Sequence, residues 1–247
     1  MVLNFFFGFS QYFSGLRFWI QTPKLLRISI IPFLIDLVIL TAGIVFSVHK
    51  IPQAVNHIVA KPDVWYGFFI YYFVLVLTAT AFFIVTVFIM SVCANLVAFP
   101  FNDILAERSL ILRKALEEKK TPLRSKFQKS LRNLSAMARK TLFYLLVGAV
   151  LILTMFIPGL GVVGAFLGAV LLAFDFLDYS FDHFGLRFQE RKKFISTHFS
   201  CFLGFAAGMG LTMTIPIINV LVMPGNVVAG ACLVANLRSK ELERSNS

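Results

Sequence analysis

Hydrophobic positions fill this chain in long blocks, and charged positions gather between the blocks rather than within them. The first block runs from Ile28 to Val48 and holds one proline, Pro32, and one acid, Asp36. Its length matches the roughly 20 apolar residues that an α-helix needs to cross a hydrocarbon core. The second follows "KPD", where Asp63 suits a helix N-cap, and runs from Val64 to Pro100 without a charge. As one helix it measures about 50 Å, so it must tilt, kink or continue beyond a bilayer. The third covers residues 141–178 and is interrupted by "PGLG". The fourth covers 199–237 and is interrupted by Pro216 and by "MPGN" at 223–226. Their pieces are at or below the usual minimum for a span, and each Pro-Gly pair predicts a turn. Both blocks therefore read as short helical hairpins that either cross twice or dip in and return.

Residues 1–27 lack the positive start and small-residue cleavage site of a signal peptide. Phe5, Phe9, Tyr12, Leu16 and Trp19 recur every three or four residues, with Ser10, Gln11 and Arg17 on other sides. This pattern predicts a helix lying in the membrane interface. Residues 101–140 also have helical periodicity, but carry eleven Lys and Arg against four acids. The predicted fold is one all-α integral membrane domain over 1–247. It has an interfacial helix (1–27), two long transmembrane helices (28–48 and 64–100), a basic cytoplasmic helical segment (101–140), and the hairpins 141–178 and 199–237.

Composition sharpens this picture. Of 247 residues, 58% are hydrophobic and 14% charged, against about 25% charged in soluble domains. Mean hydropathy is +0.83. The net charge of +11 would point to nucleic acid in a soluble protein. Here cytoplasmic loops facing anionic lipid account for it, and no nucleic-acid partner is expected. The 49–65 loop carries only Lys50 and Lys61. The positive-inside pattern therefore places that loop outside and both termini in the cytoplasm. Cys93, Cys201 and Cys232 lie in apolar stretches and read as small core residues, without metal-ligand spacing.

The chemistry concentrates in "AFDFLDYSFDHFGLRFQERKKF", residues 173–194. Asp175, Asp178 and Asp182 share one helical face at the end of an apolar helix. Carboxylates there need compensation, and Arg187, Arg191 or the 101–140 cations can supply it. Such pairs would clamp the hairpin to its cytoplasmic base; the acids would also orient a basic residue or take a proton. Tyr179 reads as an interfacial anchor. Asp36 reads as polar packing or capping, and Asn219 as a partner for backbone freed by Pro216. The histidines, His49, His57, His183 and His198, are scattered, and no nucleophile elbow or phosphate loop occurs. No enzyme, cofactor or metal is expected.

Three stretches carry a resemblance: "TPKLLRISIIPFLIDLVI" (22–39), "AFPFNDILAE" (98–107), and a third set formed by "IPGLG" (157–161), "FLDYSFDHFGLRF" (176–188) and "IPIINVLVMPGNVVAGACL" (215–233). Together they resemble the CysZ family of bacterial sulfate permeases, within the etoposide-induced-protein-like membrane superfamily. The resemblance implies two long helices, two partly penetrating hairpins, a homo-oligomer, and sulfate uptake across the inner membrane for cysteine synthesis. It also implies an anion site where the family has Gly-Leu-Arg at a helix N-terminus. Here the aligned residues are Lys24, Leu25 and Leu26, followed by Arg27, the family's second arginine. A cationic flank that sets topology is the other reading of Lys24 and Arg27. Glu107, His183, Asp178 and Asp182 are the candidates for a pore or polar network; His183 stands one place before the family's histidine position, held here by Phe184. A sulfate permease or anion channel is one reading of function. A membrane-organising or regulatory protein of the same superfamily, moving no sulfate, is the other.

Overall fold

A computed structural model of the chain describes residues 2–58, 65–117, 142–144, 146–151, 154, 157 and 160–245. Seven helices are described: α1 (Val2–Gln21), α2 (Pro23–Ile58), α3 (Trp65–Leu112), α4 (Gly161–His183), α5 (Phe188–Thr197), α6 (Phe199–Met213) and α7 (Pro216–Ser245). Short helical stretches at 142–144 and 146–151 precede α4, and no described residue lies in a strand. Asp63, residues 118–140 of the basic segment, and the Pro158–Gly159 tip lie outside the described residues, as do the side chains of Asp36 and Asn219.

The first two apolar blocks become helices longer than themselves. The stretches Pro23–Lys50, Gly161–His183 and Leu221–Glu243 are each long and apolar enough to cross a membrane. The 64–100 block continues through Pro100 to Leu112 in one helix of 48 residues, about 72 Å long. The basic segment therefore begins as an extension of α3, and the chain turns only at Lys114, where φ is 56°.

Two compact units can be distinguished: Leu34–Val97, and Met1–Phe33 with Ala98–Ser247. In the first, the described buried positions are mostly small or polar, with Tyr71 beside them, and many apolar side chains face outward. Gly43 lies against Met90, Ser47 and Thr86 are buried, and Phe69, Phe73 and Val76 are exposed.

In the second unit α1 packs along α6 and α7. Its crossing with α6 is a backbone-to-backbone contact. A Cβ on Gly8 would lie 1.8 Å from the Cys201 carbonyl oxygen, and one on Gly204 would lie 1.9 Å from that of Phe5. Such close approach is how apolar helices gain dispersion contact where lipid supplies no hydrophobic drive. Tyr12 and Leu16, expected in a membrane-facing stripe, are buried by this packing, while Leu3, Phe6, Phe13 and Ile20 remain exposed on α1. The helix is apolar on both sides because one side meets protein.

Three expectations need correction. "MPGN" does not turn: α7 runs straight through Pro224 and Gly225. A proline removes one helical hydrogen bond, which an apolar setting tolerates better than breaking the whole helix. Gly225 instead lets Trp19 approach, since a Cβ there would meet Trp19 Cε3 at 2.8 Å. The turn lies at Thr214 and Ile215, with Pro216 opening α7, as a proline without an N–H can. Tyr179 is buried rather than interfacial, because Phe99 covers its ring at 5.6 Å. Cys93 is exposed, while Cys201 and Cys232 are buried as expected.

Candidate functional site

The break between α1 and α2 is built from Thr22. Its N–H donates to Trp19 O and its hydroxyl to Phe18 O, so the hydroxyl does not cap α2. Its carbonyl accepts from Leu25 N–H and Leu26 N–H. Pro23 has no N–H, which leaves the Lys24 N–H as the donor without a partner among the described residues. Trp19 Nε1 donates to Ser29 Oγ at 2.8 Å, and Ser29 Oγ donates to Leu25 O, pinning α2 to α1.

Beside this end lies a cavity of about 360 Å³ lined by Lys24, Leu25, Ile28, Arg108, Ile111 and Leu112. Two cations from helices far apart in sequence thus face one space with apolar walls and the positive end of a helix dipole. An anion placed there meets two cations beside the N-terminal end of a helix. Of the four residues expected at the anion site, Lys24 and Leu25 line the cavity. Leu26 and Arg27 do not; Arg27 is exposed. Arg108 was missed, although it directly follows the quoted "AFPFNDILAE" motif.

A second polar locus joins α3 to α4. Phe99, Asn102 and Asp103 of α3 meet Tyr179 and His183, one turn apart on α4. The Tyr179 hydroxyl is hydrogen-bonded to the Asn102 side chain. His183 Nε2 lies 3.0 Å from both Asp103 Oδ1 and Asp103 O, and Glu107 is near enough to act on the imidazole electrostatically. The contact seen here joins His183 to Asp103, a residue that sequence reasoning did not single out.

Asp178 and Asp182 are held by Arg191, which pairs with both carboxylates. The turn between α4 and α5 makes this geometry. Gly185 adopts φ +65°, and Leu186 N–H and Gly185 N–H return to Phe181 O and Asp182 O, a Schellman ending that favours glycine. The backbone N–H of Arg187 then donates to Glu190 Oε2 at 2.6 Å, opening α5. One turn on, Arg191 Nε donates to Leu186 O at 2.8 Å while its terminal nitrogens reach the acids. Burial opposes the Arg191 charge, yet Asp178 and Asp182 outweigh it and raise its pKa above the ordinary arginine value. The expected pairing with a cation is thus seen for Asp178 and Asp182, and Arg191 is that cation.

A third cluster, absent from the sequence reading, ties three helices. The Tyr12 hydroxyl donates to Asn226 Oδ1 at 2.9 Å and lies beside the Thr212 hydroxyl. Residues 12 and 226 are too distant in sequence for periodicity to pair them.

Comparison with known proteins adds the following. The family profile described as Sulfate transporter CysZ/Etoposide-induced protein 2.4 matches residues 11–224. A sulfate transporter CysZ from Pectobacterium atrosepticum is 28% identical over 229 residues, covering 88% of this chain and 80% of the relative. One from Pseudomonas paraeruginosa is 26% identical over 226 residues, covering 89% and 90%. One from Vibrio atlanticus is 26% identical over 244 residues, covering 95% of each. These relatives are named as transporters, not as enzymes.

Proposed function

The chain belongs to the sulfate transporter CysZ/etoposide-induced protein 2.4 family, and from that premise we propose that it carries sulfate or a related oxyanion across the bacterial inner membrane. The observation that supports this most directly is the cavity at the start of α2, where Lys24 and Arg108 face one another's space. The family's Gly-Leu-Arg is replaced here by Lys24, Leu25 and Leu26. On this reading the charge once supplied by that arginine comes from Lys24 and, across the cavity, from Arg108. The Lys24 N–H supplies the backbone donor. Arg27, exposed and outside the cavity lining, serves as the topology-setting flank.

The remaining parts follow the same reading. Both termini lie in the cytoplasm, and sulfate taken up feeds cysteine synthesis. The α6–α7 pair dips in and returns, since α6 has 15 residues, about 22 Å, and is too short to cross alone. A homo-oligomer would supply the route through the bilayer. The network of Asp103, Glu107 and His183 orients the α3 end that carries Arg108, and Arg191 with Asp178 and Asp182 fixes the base of α4.

Radiolabelled sulfate uptake into proteoliposomes tests this. Lys24→Ala and Arg108→Ala should each lower uptake about tenfold, the effect of losing one charge-assisted contact. Arg27→Ala should lower it less than twofold once orientation is matched. Folded, oriented wild-type protein that moves no more sulfate than empty vesicles would move the non-transporting, membrane-organising role to the front. The altered Gly-Leu-Arg is what favours that second reading.

A further inference from the structure

A second cavity, of about 530 Å³, lies between the end of α4, the start of α5 and the 142–144 stretch, whose Phe143 and Tyr144 also line it. Leu171, Phe174 and Phe188 contribute apolar wall, Arg187 stands at its rim, and the Asp178–Arg191 pair forms its inner end. Arg191 is already engaged by both Asp178 and Asp182. Arg187 is exposed, and among the described residues no acidic side chain pairs with its guanidinium. Glu190 is occupied by the Arg187 backbone N–H.

The setting points to a bilayer surface. The axes of α5 and α6 differ by 88°, so with α6 directed into the membrane α5 lies along its face. It presents exposed Lys192 and Lys193, together with Phe188, which is 70% exposed. A short helix with exposed cations beside a large exposed aromatic is suited to the headgroup boundary.

We propose that this cavity binds one anionic phospholipid, with its phosphodiester at Arg187 and an acyl chain against Leu171, Phe174 and Phe188. A free phosphate or sulfate gains nothing from the Leu171, Phe174 and Phe188 wall, and the Arg191 guanidinium is already taken by two carboxylates. A lipid avoids both obstacles: its chain fills the wall and its charge stays at the rim. The proposal does not depend on whether the protein moves sulfate.

The test uses full-length protein carrying Phe174→Trp as a fluorescent reporter, reconstituted in phosphatidylcholine vesicles. A minor fraction of either brominated phosphatidylglycerol or brominated phosphatidylcholine is the quencher. The signal of Trp19 and Trp65 is subtracted using protein without the reporter. Phosphatidylglycerol should quench about fivefold more effectively at equal fraction, the selectivity of one cation near an anionic headgroup. Arg187→Gln should bring the two lipids to parity, and Arg187→Lys should keep most of the preference. Equal quenching in the wild-type background would mean ordinary surrounding lipid and overturn the proposal. So would a preference unchanged in Arg187→Gln, or no quenching by either lipid, which would mean that another protein surface fills the cavity. Leu171→Trp is the alternative reporter if Phe174→Trp does not fold.

Discussion

Among the described residues, the Leu34–Val97 unit and the remainder of the chain bury different mixtures of residue. In the first, Gly43, Ser47 and Thr86 are inside, while Phe69 is 81% exposed. In the second, Tyr12, Leu105, Phe181, Phe205 and Met209 form a fully buried apolar core, with Asp178 and Asn226 also buried among it. A water-soluble protein would not expose the first surface. Lipid changes the calculation, because apolar side chains gain little by leaving it, and contact falls to small residues that let backbones approach. The second unit combines that device with a packed core and holds Lys24, Arg108, Arg191 and the α3–α4 network. Hydrophobicity along the chain thus reports the solvent, while buried polar groups report where a specific arrangement has been built.

The largest expected effect comes from filling a helix crossing. Gly204→Leu would drive a side chain into the Phe5 carbonyl, which lies 1.9 Å from the position of the new Cβ. Backbone cannot yield as a side chain can, so α1 and α6 must separate, and the cost should exceed the about 1–3 kcal/mol typical of overpacking. In the other unit, Gly43→Leu meets Met90 Cγ at 3.0 Å, a flexible partner, and should cost less. Monodispersity and thermal aggregation in detergent would rank the pair. Equal losses would break the contrast between a backbone crossing and a side-chain contact.

Removing Arg191 comes next. Arg191→Ala removes the guanidinium paired with Asp178, whose side chain is 7% exposed, and breaking such a pair from one side costs about 3–5 kcal/mol. Adding Asp178→Asn should recover part of that loss, since the amide carries no charge to compensate. If the double variant is no more stable than Arg191→Ala alone, the arginine acts through its bond to Leu186 O rather than through the carboxylates.

How much of this could be read from the chain depends on sequence distance. The apolar blocks became helices, and Asp178 with Arg191 was a foreseeable pair because both lie in one short stretch. "MPGN" misled because turn rules describe chains in water, where a proline break is solvated, whereas α7 keeps its remaining backbone bonds by continuing. Arg108 escaped because its importance lies in facing Lys24 across a cavity, and helical phase does not show which distant helix will supply the opposite wall. The Tyr12–Asn226 and Asp103–His183 contacts are hidden for the same reason.

The smallest effect tests the outward face of the Leu34–Val97 unit. Phe69 is exposed along a helix whose inward positions include Tyr71 and Thr86. If lipid or detergent alone contacts it, Phe69→Leu exchanges one apolar surface for another, and stability should move by no more than about 0.5 kcal/mol. A thermal shift in detergent measures this, with Phe205→Leu in the buried core as the reference for a position where shape matters. Phe205 has 0% exposure and stacks edge-on to Tyr12 at 5.4 Å, so its replacement should cost more than about 1 kcal/mol. A comparable loss at Phe69 would mean that a protein surface covers it in solution. The outward face of this unit would then be an interface between copies, and the two regions would differ in partner rather than in solvent.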